Sequence, residues 1–79
     1  MKYFDGNNIL LGDTIGLGGG MQGVVVACIE ENEFSPEFSK EQWSYLKKGI
    51  LVNSEQAGII HYLKSCVDLI LLHRNRYKT

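Results

Sequence analysis

Few residues in this chain have the type and spacing to do chemistry. The soft donors are Cys28, His61, Cys66 and His73. None falls at the short Cys–Cys or His–His spacing that lets adjacent turns of backbone share a zinc ion, so no metal site is expected. Cys28 lies inside the apolar run Val24–Ile29, where burial raises a thiol's pKa and leaves it inert as a nucleophile. Cys28 and Cys66 therefore read as buried free thiols of a reducing compartment. His61, between Ile60 and Tyr62, reads as an outward-facing strand residue. Gly18, Gly20 and Gly23 match G-x-G-x-x-G by letter. That fingerprint holds a pyrophosphate only when a helix N-terminus follows, and here Val24-Val25-Val26 predicts a strand. The match is read as a hairpin turn, and no cofactor is expected.

The remaining candidates are carboxylates. Glu30, Glu31, Glu33, Glu37 and Glu41, set against Lys40, give residues 30–41 a net charge of −4. General acid–base catalysis would need an apolar pocket to shift their pKa values, and only Phe34 and Phe38 are at hand. The absence of a convergent acid, base and nucleophile argues against an enzyme. The pattern is more informative as a surface. Glutamates alternate with Phe34, Phe38, Trp43 and Tyr45 in a connection too long for a plain hairpin, and long ordered loops of small domains carry binding function. The rings have two readings: they plug the open end of a barrel, or they face a partner, with Trp43 and Tyr45 as anchors.

The elements that must position these residues follow from period and turn chemistry. Asp5-Gly6-Asn7-Asn8 and Gly12-Asp13 are turn signals. Thr14–Leu17 alternates as a half-buried strand, 18–23 reverses the chain, and Val24–Ile29 forms a central β-branched strand. Ser39-Lys40-Glu41-Gln42 fits a capping box opening a helix of about two turns, which Gly49 ends in the left-handed region. Ile50–Val52, Ile59–Leu63 and Val67–Leu72 are three further strands, with a turn at Glu55–Gly58. Five or six short antiparallel strands with one short helix predict a mainly β single domain over residues 1–79, a small closed barrel.

Composition narrows the function further. The 79 residues carry 8 Lys+Arg and 9 Asp+Glu, a formal net charge of −1, with 44% hydrophobic residues. The best apolar window, Ile9–Ile29, contains Asp13, Gln22 and six glycines, so no membrane span is expected. The opening residues lack the apolar core of a secretory signal, which predicts a cytoplasmic protein. The tail is basic: Lys64, Arg74, Arg76 and Lys78 against Asp68 give residues 64–79 a net charge of +3. Contact of His73–Thr79 with phosphate, with Tyr77 stacking on a base, is one reading and a solubilising terminus the other. A sequence pI near 6.0 argues against nucleic acid as the partner.

Two resemblances are carried by particular residues. Gly12-Asp13-Thr14-Ile15 followed by Gly23-Val24-Val25-Val26 resembles the G-D-x-V…G-x-V core of KOW-type and SH3-like small barrels. This implies an SH3-like barrel and, as an alternative function, a nucleic-acid or ribosome-associated binding protein. More of the chain enters the second: Met1–Gly6, Gly12-Asp13, Gly23–Val26, Gln42–Val52 and Ala57–Tyr62 resemble a family of small bacterial proteins. Some of these are encoded beside polymorphic toxins of the Rhs or type VI secretion kind and are taken as immunity proteins. That resemblance implies a protein partner, a cognate cytoplasm-acting toxin, neutralised by occlusion. Its surface would be Glu30, Glu31, Glu33, Glu37 and Glu41, with Trp43 and Tyr45. The family brings no catalytic residues to carry over.

Overall fold

A computed structural model describes residues 1–64 and 68–74. Six antiparallel strands form one sheet: β1 (Asp13–Gly18), β2 (Met21–Cys28), β3 (Glu33–Phe34), β4 (Ile50–Ser54), β5 (Gly58–Tyr62) and β6 (Ile70–Arg74). One helix, α1 (Lys40–Trp43), runs on into a 3-10 turn at Ser44–Leu46. The strand order is β5-β4-β2-β1-β6, with β3 added beside β2. β1, β2, β4 and β5 form a four-strand meander and β6 returns to pair with β1, an order consistent with an SH3-like barrel. The sheet is nevertheless open: among the described residues no ladder joins β5 to β6. The closed barrel expected from the strand count is therefore not formed by hydrogen bonding among the described residues.

Strand alternation sorts the side chains into two layers. Ile15, Leu17, Val25, Cys28, Ile50 and Val52 face an inner core, roofed by Tyr3, Ile9 and Leu69. Val26, Ala27, Ile29 and Leu51 form a second core on the opposite face. A bulge makes the second core possible. Val25 pairs with Val52 and Ala27 with Leu51, so two residues of β2 oppose one of β4. The extra residue lets Val26 and Ala27 both turn outward before Cys28 returns inward.

Several boundaries differ from those read in the sequence. The β1–β2 reversal is tighter than 18–23, because Met21 and Gln22 already belong to β2. Gly18, Gly19 and Gly20 make the turn, all at positive φ. The capping box does not form: Ser39 has extended backbone at the N-cap position, but its side chain makes no cap hydrogen bond. The last strand begins at Ile70, not Val67, and extends to Arg74. Val67, Cys66 and residues 75–79, Tyr77 among them, lie outside the described residues. Gly49 does adopt the left-handed conformation expected of it, at φ +92°.

Candidate partner-binding surface

Residues 29–49 form an insertion between β2 and β4. Its two ends are tied where the Ile29 amide donates to the Gly49 carbonyl at 3.0 Å. The chain first turns back through Ile29–Asn32, with the Asn32 amide donating to the Ile29 carbonyl and Asn32 at φ +61°. Asparagine tolerates this left-handed position better than most residues. The short β3 then pairs Cys28 with Glu33 and Ala27 with Phe34, and the Ser35 amide extends the contact by donating to the Val26 carbonyl. Beyond Pro36, α1 and its 3-10 turn cross the outer face of the sheet.

Phe34, Phe38, Trp43 and Leu46 pack against the second core. The Phe38 and Trp43 rings lie 6.1 Å apart between centroids at a tilt of 41°, a favourable aromatic separation. Of the two readings of these rings, this arrangement is neither quite an end plug nor a display. They cover the outside of β2 and β4, which would otherwise expose Val26 and Leu51. Trp43 is half-buried in that layer, whereas Tyr45 is 69% exposed.

All five glutamates are exposed, but they do not form one cluster. Glu33 and Phe34 are strand neighbours and point to opposite faces. Glu31 and Glu33 border a groove of about 160 Å³ with Asn8, Ile9 and Leu10, on the side of the amino-terminal arm. Glu31 Oε2 lies 3.4 Å from the Met1 amine. Burial first, then the Glu31 and Glu33 charges, push the Cys28 thiol up to about 12, so their field falls on the inner side of β2. That thiol is fully buried and donates to the Ile9 carbonyl. Glu30 sits in the hairpin turn; Glu37 and Glu41 lie on the stretch that crosses the outer face. The insertion therefore presents acid along an arc around the hairpin, not on one flat patch.

The most connected polar group of the described chain went unnoticed in the sequence. Asp13, read there as a turn residue, is fully buried. Its carboxylate accepts from the Tyr3 hydroxyl at 2.5 Å, the Leu10 amide at 3.0 Å, and Arg74 Nε and Nη2 at 3.0 and 3.1 Å. Arg74 Nη2 also donates to the Asn8 carbonyl. Burial alone would push the Asp13 carboxyl up, but the Arg74 guanidinium, the Tyr3 hydroxyl and the Leu10 amide outweigh it and hold it below its ordinary value. Burial and the same carboxylate raise the Tyr3 hydroxyl far above its own. Fully buried and accepting these four hydrogen bonds, Asp13 ties the arm and β6 to β1. The only sequence signal was chain-end composition: a basic residue beyond an apolar run.

His61 does lie on the outward-alternating positions of β5. Its Nε2 is 2.9 Å from the Lys48 carbonyl and must carry the proton, since a carbonyl only accepts. Among the described residues no three His, Cys, Asp or Glu side chains converge as a metal site would require. The glycine-rich turn feeds β2 and no helix, so the strand predicted to follow the G-x-G-x-x-G letters is present. No helix among the described residues is long and apolar enough to cross a membrane. No family model, curated protein or solved structure matches the chain.

Proposed function

We propose that this chain is a non-catalytic protein-binding module that neutralises a cognate toxin by occlusion, as an immunity protein of the cytoplasm does. The observation that carries the reading is the division of labour in the insertion. Phe34, Phe38 and Trp43 fasten it to the sheet, while Glu30, Glu31, Glu33, Glu37 and Glu41 all remain in solvent. An ordered acidic arc on a small scaffold suits a basic partner surface, such as the substrate cleft of an enzyme acting on nucleic acid. Opposite potentials steer fast association and, once in contact, block the cleft. Tyr45, the most exposed ring of the insertion, is the side chain placed to anchor the contact. Trp43 contributes by holding the arc in place.

The test is a binding titration against the product of the adjacent gene, at about 50 mM and about 300 mM salt. Glu30, Glu31 and Glu33 changed together to Gln, and Glu37 and Glu41 changed together to Gln, should each raise Kd by about tenfold and flatten the salt dependence. Unchanged affinity in both variants removes the acidic arc from the interface. Absence of any complex, or salt-sensitive affinity for RNA in its place, overturns the reading in favour of a nucleic-acid-binding barrel.

A further inference from the structure

The amino-terminal arm and the start of β6 face each other across a groove of about 370 Å³, lined by Tyr3, Phe4, Asp5, Leu69, Ile70 and Leu71. That volume falls in the range of small-molecule sites, about 300–1,000 Å³. None of the six residues belongs to the insertion, so the groove is separate from the acidic arc. Its two walls are tied to one another, because Tyr3 of the arm and Arg74 of β6 both donate to the Asp13 carboxylate. The groove is therefore formed before any ligand arrives. Tyr3 and Leu69 are its buried residues, whereas Phe4 and Ile70 leave large apolar side chains in solvent, 76% and 58% exposed.

The arm wall carries the chemical selectivity. The Gly6 amide donates to the Tyr3 carbonyl at 3.0 Å, which makes Phe4 and Asp5 the central residues of a β-turn. The Asn7 amide donates to Asp5 Oδ1 at 3.0 Å and Asn7 Nδ2 to Asp5 Oδ2 at 3.2 Å. These bonds hold the carboxylate in place, and a carboxylate oxygen that accepts one hydrogen bond has room for another. An aromatic ring and a fixed carboxylate on consecutive residues favour the same kind of ligand. The ring attracts a cation that lies within about 6 Å of its centroid, and the carboxylate attracts it by charge. The Tyr3 hydroxyl is engaged on Asp13, so the other side chains of the groove offer apolar surface. We infer that this groove binds a small organic ammonium ion. Its hydrocarbon body lies against Leu69, Ile70 and Leu71, and its charged head against Phe4 and Asp5. A neutral molecule of the same shape forgoes the head contacts, and a carboxylate is repelled by Asp5. The site shares no residue with the acidic arc, so it stands or falls apart from the toxin-binding reading.

Phenethylammonium, 2-phenylethanol and 3-phenylpropanoate share a ring and a short stem and differ in charge, so together they test the head contacts. Each is titrated to about 20 mM into the isotope-labelled full chain near neutral pH, with backbone amide shifts as the readout. Phenethylammonium should give saturable shifts at Tyr3–Asn7 and Leu69–Leu71, with a Kd of about 1 mM. The alcohol should bind about tenfold more weakly and the carboxylate more weakly still. Asp5→Asn keeps the shape of the side chain and should bring the amine to within about twofold of the alcohol. Phe4→Leu keeps an apolar side chain without a ring and should weaken the amine about threefold or more. Both substitutions are at exposed turn residues, and far-UV circular dichroism confirms that each variant keeps its sheet. The comparison of the three probes on the unaltered chain needs no variant. Absence of saturable shifts at the groove overturns the site, as does an alcohol or carboxylate that binds as tightly as the amine. Amine shifts centred on Glu30–Glu41, or an Asp5→Asn variant that keeps the full preference for the amine, overturn it as well.

Discussion

Asp13 shows how much one side chain can hold in so small a domain. Its carboxylate fixes the amino-terminal arm through Tyr3 and Leu10 and the last strand through Arg74. Removing it leaves a buried hydroxyl and amide without acceptors and a guanidinium without its counter-charge. Asp13→Ala should therefore cost about 3 kcal/mol, a large share of the roughly 5–15 kcal/mol that holds a domain folded. The pH dependence has a definite sign. The folded Asp13 carboxyl titrates below its ordinary value of 3.8, so its stabilisation is complete above that pH and is lost as pH falls through the folded value. Urea midpoints between about pH 7 and about pH 2 should fall on acidification, and Asp13→Asn should flatten that limb. An equally steep acid limb in Asp13→Asn would assign the titration to other carboxylates. None of this could be read along the chain, since Asp13 and Arg74 are 61 positions apart. Turn chemistry accounts for an aspartate after glycine, and a tail accounts for an arginine near the end. Only the β1–β6 register places one against the other.

Local signals were reliable where backbone geometry alone decides. The hairpin glycines, Gly49, the β-branched core of β2 and the turn before β5 all report φ/ψ or burial demands that a residue type answers by itself. They failed where tertiary contact supplies the answer. The Ser39 to Gln42 spacing has the letters of a capping box, but α1 is four residues long and is held by Phe38 and Trp43 on the second core. A helix so short gains little from caps compared with packing. Ser39→Ala should therefore change stability by less than about 0.5 kcal/mol, where a working cap would cost about 1 kcal/mol. Gly49→Ala should be far worse. Its φ of +92° disfavours any side chain, and an added Cβ would run into the Tyr62 carbonyl and approach the His61 ring. Thermal denaturation of the two variants side by side checks both, and a Ser39→Ala loss near that of a working cap would mean the capping box forms after all. The candidate surface was read in part. Composition marked the acidic run, but the β2 bulge that turns Val26 and Ala27 outward has no letter of its own, so which side the rings would take was open.

Two cores on opposite faces of β2 and β4 raise the question of whether the outer layer melts with the sheet or before it. Val25 and Val26 are adjacent, as are Ile50 and Leu51, and in each pair one residue belongs to each core. Loosening the outer layer therefore exposes the backs of the strands that carry the inner one, and the Ile29–Gly49 hydrogen bond anchors both ends of the insertion to those strands. The Asp13 network couples the remaining parts, arm and β6, to β1. These ties favour a single transition over separate local openings. The chain contains one tryptophan, Trp43, which sits in the outer layer. Its fluorescence follows that layer, while far-UV circular dichroism follows the sheet. The two urea transitions should coincide, and Trp43→Ala should shift the circular dichroism midpoint by about 2 kcal/mol of stability although the inner core does not touch it. A fluorescence transition at lower urea than the circular dichroism one would make the insertion an independently opening unit. The acidic arc would then be ordered by its partner and not by the rings that fasten it.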